Sequence, residues 1–138
     1  MSTTLRLWAL SDTHVGTDIK FGRRSLEEVI HHAEGWRNGP GQSGGFDIAM
    51  NLGDFSGSQL PPDDEEGELV VSQYASAKHH GREHFYDVIG NHDASGVGEP
   101  TQWWFKKWID PTGSTPEFSQ VDNFKRPYPT TGTWENYS

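Results

Sequence analysis

The sequence has no cysteine. That excludes a disulfide framework and a thiolate metal site. Basic residues are scarce: 11 Lys and Arg stand against 20 Asp and Glu, a formal net charge of −9. Such a balance argues against a broad nucleic-acid-binding surface, although bound metal ions can invert a local field. Hydrophobic residues make up only 32% of the 138, which is low for a self-contained domain. Part of the apolar mass sits in large side chains, among them six Trp. No apolar run approaches the ~20 residues that cross a bilayer as a helix, so membrane insertion is not expected. Met1 to Leu10 contains Arg6 and offers no small-residue cleavage site ahead of Ser11. It does not read as a secretory leader, and a cytoplasmic location is the expectation. The length suits one domain, residues 1–138, with neither an internal repeat nor a linker.

Three short apolar runs are each closed by polar residues. Leu5 to Leu10 stops at Ser11-Asp12, Phe46 to Leu52 at Gly53-Asp54, and Phe85 to Ile89 at Gly90-Asn91-His92-Asp93. Each predicts a buried strand. Ser25 with Glu28 reads as a capping box, and Leu26, Val29, Ile30 and Ala33 recur at helical spacing. The spacing predicts a helix from Leu26 to Trp36, ending before Asn38-Gly39-Pro40-Gly41. The acidic run Asp63 to Glu66 suits the positive end of a second helix, extending from about Glu65 to His80 and stopped by Gly81. A Trp-rich helix is predicted over Pro100 to Ile109, and the chain from Asp110 onward reads mostly as loop. Strand and helix therefore alternate as βαβαβα, the pattern of a parallel sheet with crossover helices.

Ligands of open α/β sheets bind outside the carboxyl ends of the strands. Parallel pairing would bring Asp12, His14, Asp54, Asn91 and His92 to one rim. Two carboxylates, two imidazoles and an amide suit divalent metal ions. Asp12 and His14 are two residues apart, so on an extended strand end they point the same way and one ion can take both. Asp54, with two oxygens, can bridge two ions, and Asn91 offers a neutral oxygen. Two ions about 3.5–4 Å apart can clamp an in-line displacement at phosphorus and activate a water to hydroxide. His92 can then face the substrate and act as general acid, with Asp93 orienting it or holding its proton. Each residue alone has a simpler explanation, since Asp after a strand is often a turn residue and Gly53 and Gly90 supply turn geometry. The ordered set of three clusters is what points to chemistry.

Asp-x-His, then Gly-Asp, then Gly-Asn-His-Asp resembles the calcineurin-like metallophosphoesterase superfamily, and is most similar to its purple-acid-phosphatase-like and cyclic-nucleotide phosphodiesterase-like branch. The resemblance implies the N-terminal half of a β-sandwich flanked by helices, and metal-dependent hydrolysis of a phosphate mono- or diester. It implies two divalent ions of the Mn, Fe or Zn type, with Asp12 and His14 on the first, Asp54 bridging, and Asn91 on the second. Asn91 and His92 would contact the phosphate of a small phosphate ester or nucleotide, and His92 would protonate the leaving group. The family pattern also includes a later His and a Gly-His-x-His motif. Here the seven histidines are at 14, 31, 32, 79, 80, 84 and 92, and none follows His92. Two expectations arise. The chain is an N-terminal fragment whose last residues, Trp134 to Ser138, approach a further strand, or it is a half-domain completed by another chain. In either case the C-terminal part of the domain is an expected partner, and a non-catalytic binding or scaffold module is the alternative function.

Other features are set aside. His31-His32 and His79-His80 point in different directions on a helix and read as solvated faces. His84 lies at the wrong strand end. Arg23 and Arg24 fit an exposed helix start better than a phosphate contact. Trp103, Trp104, Phe105 and Trp108 are assigned to packing. Asp63 to Glu66 lacks the spaced ligands of a calcium loop.

Overall fold

The computed structural model describes residues 4–16, 25–35, 45–57, 61–94 and 102–131. Arg23 and Arg24, the stretch from Trp36 to Gly41, Pro100, and the tail from Trp134 to Ser138 lie outside them. Three strands, β1 (Leu7–Leu10), β2 (Ile48–Asn51) and β3 (Phe85–Asp87), form a parallel sheet in the order β1-β2-β3. The expected α/β class and strand polarity hold, with shorter strands. Leu7 pairs with Ile48 and Leu10 with Asn51, while Ala49 pairs with Phe85. Paired residues of parallel strands share a face, so Trp8, Ala49 and Phe85 lie together and join the core with Leu26, Ile30, Val70 and Tyr74. No helix among the described residues is long and apolar enough to cross a membrane.

Helix α1 (Ser25–Gly35) buries Leu26 and Ile30, two of the periodic positions. Its predicted capping box does not form. The Ser25 hydroxyl is buried with no partner among the described residues. The first-turn amides of Leu26 and Glu27 instead both donate to Gln73 Oε1, at 3.0 Å each. A long-range amide thus replaces the local cap. Helix α2 (Asp64–Ala75) has a complete capping box, Asp63 accepting from the Glu66 amide and Glu66 from the Asp63 amide. It stops five residues short of the expected His80. The amides of Lys78 and His79 donate to the Glu34 carboxylate at 2.9 Å each, drawing the chain out of the helix. His80 completes that junction, with Nδ1 2.9 Å from Glu34 and Nε2 2.7 Å from the Phe46 carbonyl. Those contacts are structural, as is His31 Nε2 on the Ser76 carbonyl.

The Trp-rich segment is only partly α-helical, because Phe105–Ile109 forms a π-helical turn. It packs on the start of α2, where Trp104 Nε1 donates to the Asp63 carbonyl and Trp108 Nε1 to Asp64 Oδ1. The region after Asp110 holds more order than its composition suggests. The Asp110 carboxylate accepts from the Ser114 and Thr115 amides and the Ser119 hydroxyl, shaping a short helix α3 (Pro116–Ser119).

Gly67 lies within α2 under the Trp108 ring, and a Cβ built there would overlap the indole. In an open helix, Gly→Ala stabilises by about 1 kcal/mol. Here the sign reverses, because overpacking costs about 1–3 kcal/mol. Gly67→Ala is expected to lower the urea midpoint, and a raised midpoint would show that Trp108 can move aside freely.

Candidate metal centre

All three polar clusters meet at the carboxyl end of the sheet. The loops after β1 and β2 continue side by side, with the Asp12 amide donating to the Gly53 carbonyl at 3.0 Å and the His14 amide to the Asp54 carbonyl at 3.1 Å. The loops after β2 and β3 touch directly. A Cβ on Gly53 would meet the Gly90 amide nitrogen at 2.5 Å, and a Cβ on Gly90 would overlap Asp54. Only glycine allows that approach.

Asp12, His14 and Asp54 all adopt the left-handed backbone region, with φ of 53°, 44° and 58°. Such a conformation costs non-glycine residues on the order of 1–2 kcal/mol each, and strain of this kind clusters at functional sites. It also revises the reason for the Asp12–His14 pairing. Their side chains meet, Asp12 Oδ1 lying 3.5 Å from His14 Nε2, through two left-handed residues rather than through strand alternation. The Ser11 hydroxyl, donating at 2.6 Å, is the main cause that holds the Asp12 carboxyl below its ordinary range, with His14 adding to it.

Among the described residues, His14, Asp54 and His92 form a donor cluster that could hold a metal ion. One ligand atom from each lies within 4.8 Å of the others, and all three residues are partly exposed. The two imidazoles meet edge to face, with centroids 4.8 Å apart. Asp54 Oδ1 also accepts the His92 amide at 2.9 Å, joining β2 loop to β3 loop. Two imidazoles and a carboxylate are a donor set suited to Zn, Fe or Mn, so these residues fit a divalent ion. Asn91 is exposed beside His92 on the same loop. The chain matches the sequence profile of the family described as calcineurin-like phosphoesterase over residues 5–137.

The chain belongs to the calcineurin-like phosphoesterase family.

No curated protein and no solved structure matches it. Within the calcineurin-like arrangement, Asp93 differs from expectation. It is fully buried, and its oxygens accept four main-chain amides. Oδ2 takes those of Asp54 and Gly90, and Oδ1 takes those of Phe55 and Ser56, all at 2.8–2.9 Å. Burial pushes its carboxyl up to about 6, while each of the four amides pulls it down. A carboxylate enclosed in this way does not reach a substrate, so the expected proton-handling role does not fit it.

Sequence reasoning missed Asn51, which closes the apolar strand β2. Its Oδ1 accepts the Gly53 amide at 3.2 Å and its amide nitrogen reaches the Tyr74 hydroxyl at 3.5 Å, fixing the turn that presents Asp54. A polar residue ending a buried strand was the available signal. A groove of about 720 Å³ starts at Asp12 and Thr13 and runs between β1 and α1, walled by Trp8, Leu10, Val29 and Ala33.

Proposed function

We propose that the chain supplies metal-ligating and acid residues for hydrolysis of a phosphate mono- or diester at a dinuclear centre. The observation that carries this is the convergence of His14, Asp54 and His92 in a family of phosphoesterases. Asp12 and His14 would hold one ion, Asp54 would bridge, and Asn91 would hold the second. The ions, when bound, would supply Lewis-acid polarisation of the phosphate and a nucleophile at neutral pH. His92 stands within the same cluster and would donate a proton to the departing oxygen, while the Asn91 amide would orient a phosphate oxygen. A small phosphate ester or nucleotide is the proposed substrate class. The narrower assignment to the purple-acid-phosphatase-like and cyclic-nucleotide phosphodiesterase-like branch rests on the ordered Asp-x-His, Gly-Asp and Gly-Asn-His-Asp motifs.

No histidine follows His92 in these 138 residues, so the later histidine ligands that the resemblance implies are not among them. The 138-residue chain is expected to bind Mn²⁺ or Zn²⁺ weakly and to hydrolyse a bis(p-nitrophenyl) phosphate slowly, with the turnover abolished by EDTA. Turnover that survives EDTA would contradict the proposal. The second reading is a module that keeps the fold without catalysis. Metal binding with no turnover, in this chain or in a longer one containing the later histidines, would select it.

His92→Ala separates the acid from the ligands. General acid catalysis contributes about 10²–10⁴-fold, and a leaving group that departs easily needs little of it. The loss in kcat is expected to be large for a methyl or benzyl phosphate ester and small for a nitrophenyl ester. Equal losses on both would remove His92 from the acid role.

A further inference from the structure

We propose that Asp93 is a positioning residue that assembles the metal centre before any ion arrives, by pinning the loop after β2 to the loop after β3. The inference rests on the metal-binding reading above and adds to it the cause of the ligand geometry. The four hydrogen bonds to Asp93 all come from main-chain amides, so it acts through the main chain. Two amides belong to the loop segments that carry ligands, Asp54 itself and Gly90, which opens Gly90-Asn91-His92. The other two, Phe55 and Ser56, fix the chain just beyond Asp54. These bonds hold Asp54 in its left-handed conformation. From there the consequences spread to the other ligands. The Asp54 carbonyl receives the His14 amide and its Oδ1 receives the His92 amide. A shift of Asp54 therefore moves both histidines.

An ionised carboxylate is acceptor-only on both oxygens, so it can serve four N–H donors at once. Asparagine has the same shape but one end that donates. In either amide orientation, Asp93→Asn turns an NH₂ group toward two main-chain N–H groups, and one of the two amide pairs is lost.

The test is Mn²⁺ titration of the 138-residue chain by calorimetry, with Asp93→Asn compared to Gly67→Ala. Gly67→Ala lowers stability at the Trp108 contact, away from the centre. Asp93→Asn is expected to weaken Mn²⁺ binding at least tenfold while near-ultraviolet Trp circular dichroism is retained, and Gly67→Ala is expected to leave affinity unchanged. Equal affinities of Asp93→Asn and wild type would overturn the proposal. A second measurement serves if Asp93→Asn does not fold. Hydrogen exchange of the Asp54, Phe55, Ser56 and Gly90 amides in metal-free wild type is expected to be slow and unaltered by Mn²⁺. Fast exchange that slows only on adding Mn²⁺ would show that the ion, not Asp93, builds the loops. Wild type that binds no Mn²⁺ while those amides stay protected would defeat the metal-binding reading and leave the Asp93 anchor standing.

Discussion

Asp54→Asn is expected to reduce divalent-metal affinity of the chain by at least about 100-fold, because loss of an outer-shell partner alone typically costs ~10–100-fold. Asp54 is the one carboxylate in the cluster with His14 and His92. Asparagine keeps its shape, its main-chain amide toward Asp93 and an oxygen for the His92 amide. What it removes is the negative charge and one of two ligand oxygens. The loss is therefore assignable to the metal rather than to the loop, and unchanged thermal unfolding of the metal-free variant checks that assignment. Calorimetric titration with Mn²⁺ gives the affinity. An affinity within a few-fold of wild type would mean that the ion sits elsewhere.

Arg82→Met is expected to produce the largest loss of stability. The Arg82 guanidinium is buried and donates to Asp87 Oδ2 at 2.6 Å, to the Phe85 carbonyl at 3.1 Å and to the Ile109 carbonyl at 3.0 Å. It also lies 4.2 Å from the centre of the Tyr74 ring. Burial opposes its charge, and Asp87, Tyr74 and Asp110 more than offset that opposition. Asp87 accepts the Tyr74 hydroxyl at 2.6 Å as well. Methionine would fill part of the volume and leave buried Asp87 without its ion-pair partner. Breaking a buried pair from one side costs about 3–5 kcal/mol, a large share of the ~5–15 kcal/mol that stabilises a typical domain. Urea unfolding measures it. Arg82→Met combined with Asp87→Leu is expected to recover part of the loss, since the stranded carboxyl is gone. A loss below ~1 kcal/mol for Arg82→Met alone would show that water reaches Asp87.

The ends of the three strands were readable from sequence because each apolar run closes on residues that cannot continue it. Gly53 and Gly90 mark sharp turns, with Asp54 one residue and His92 two residues beyond them, and Asp12 lies two residues beyond Leu10. Parallel order came from the alternation of strands with helical periodicity. Contacts between distant residues were not readable. Gln73 caps α1 from 47 positions away, so Ser25 with Glu28 looked like the cap. Glu34 ends α2 by taking two amides from the chain beyond it, which no local stop signal announces. Asp93 offers the clearest case. Beside His92 in sequence, it invites a role in proton transfer, yet neighbouring residues in a tight turn can face opposite ways. Only the fold shows it turned inward onto four amides. For Asp12 and His14 the spacing predicts proximity, but the contact arises from two left-handed residues that sequence alone does not reveal.

The proposed function requires divalent metal binding at Asp12, His14, Asp54 and Asn91, with His92 beside them. An anomalous difference map from crystals of the 138-residue chain soaked in Zn²⁺ tests it most directly. A peak is expected about 2.0–2.2 Å from an Asp54 carboxylate oxygen and a His14 ring nitrogen, the ordinary zinc–oxygen and zinc–nitrogen distances. A peak only at the distant His80–Glu34 junction, or none at the carboxyl end of the sheet, would contradict it.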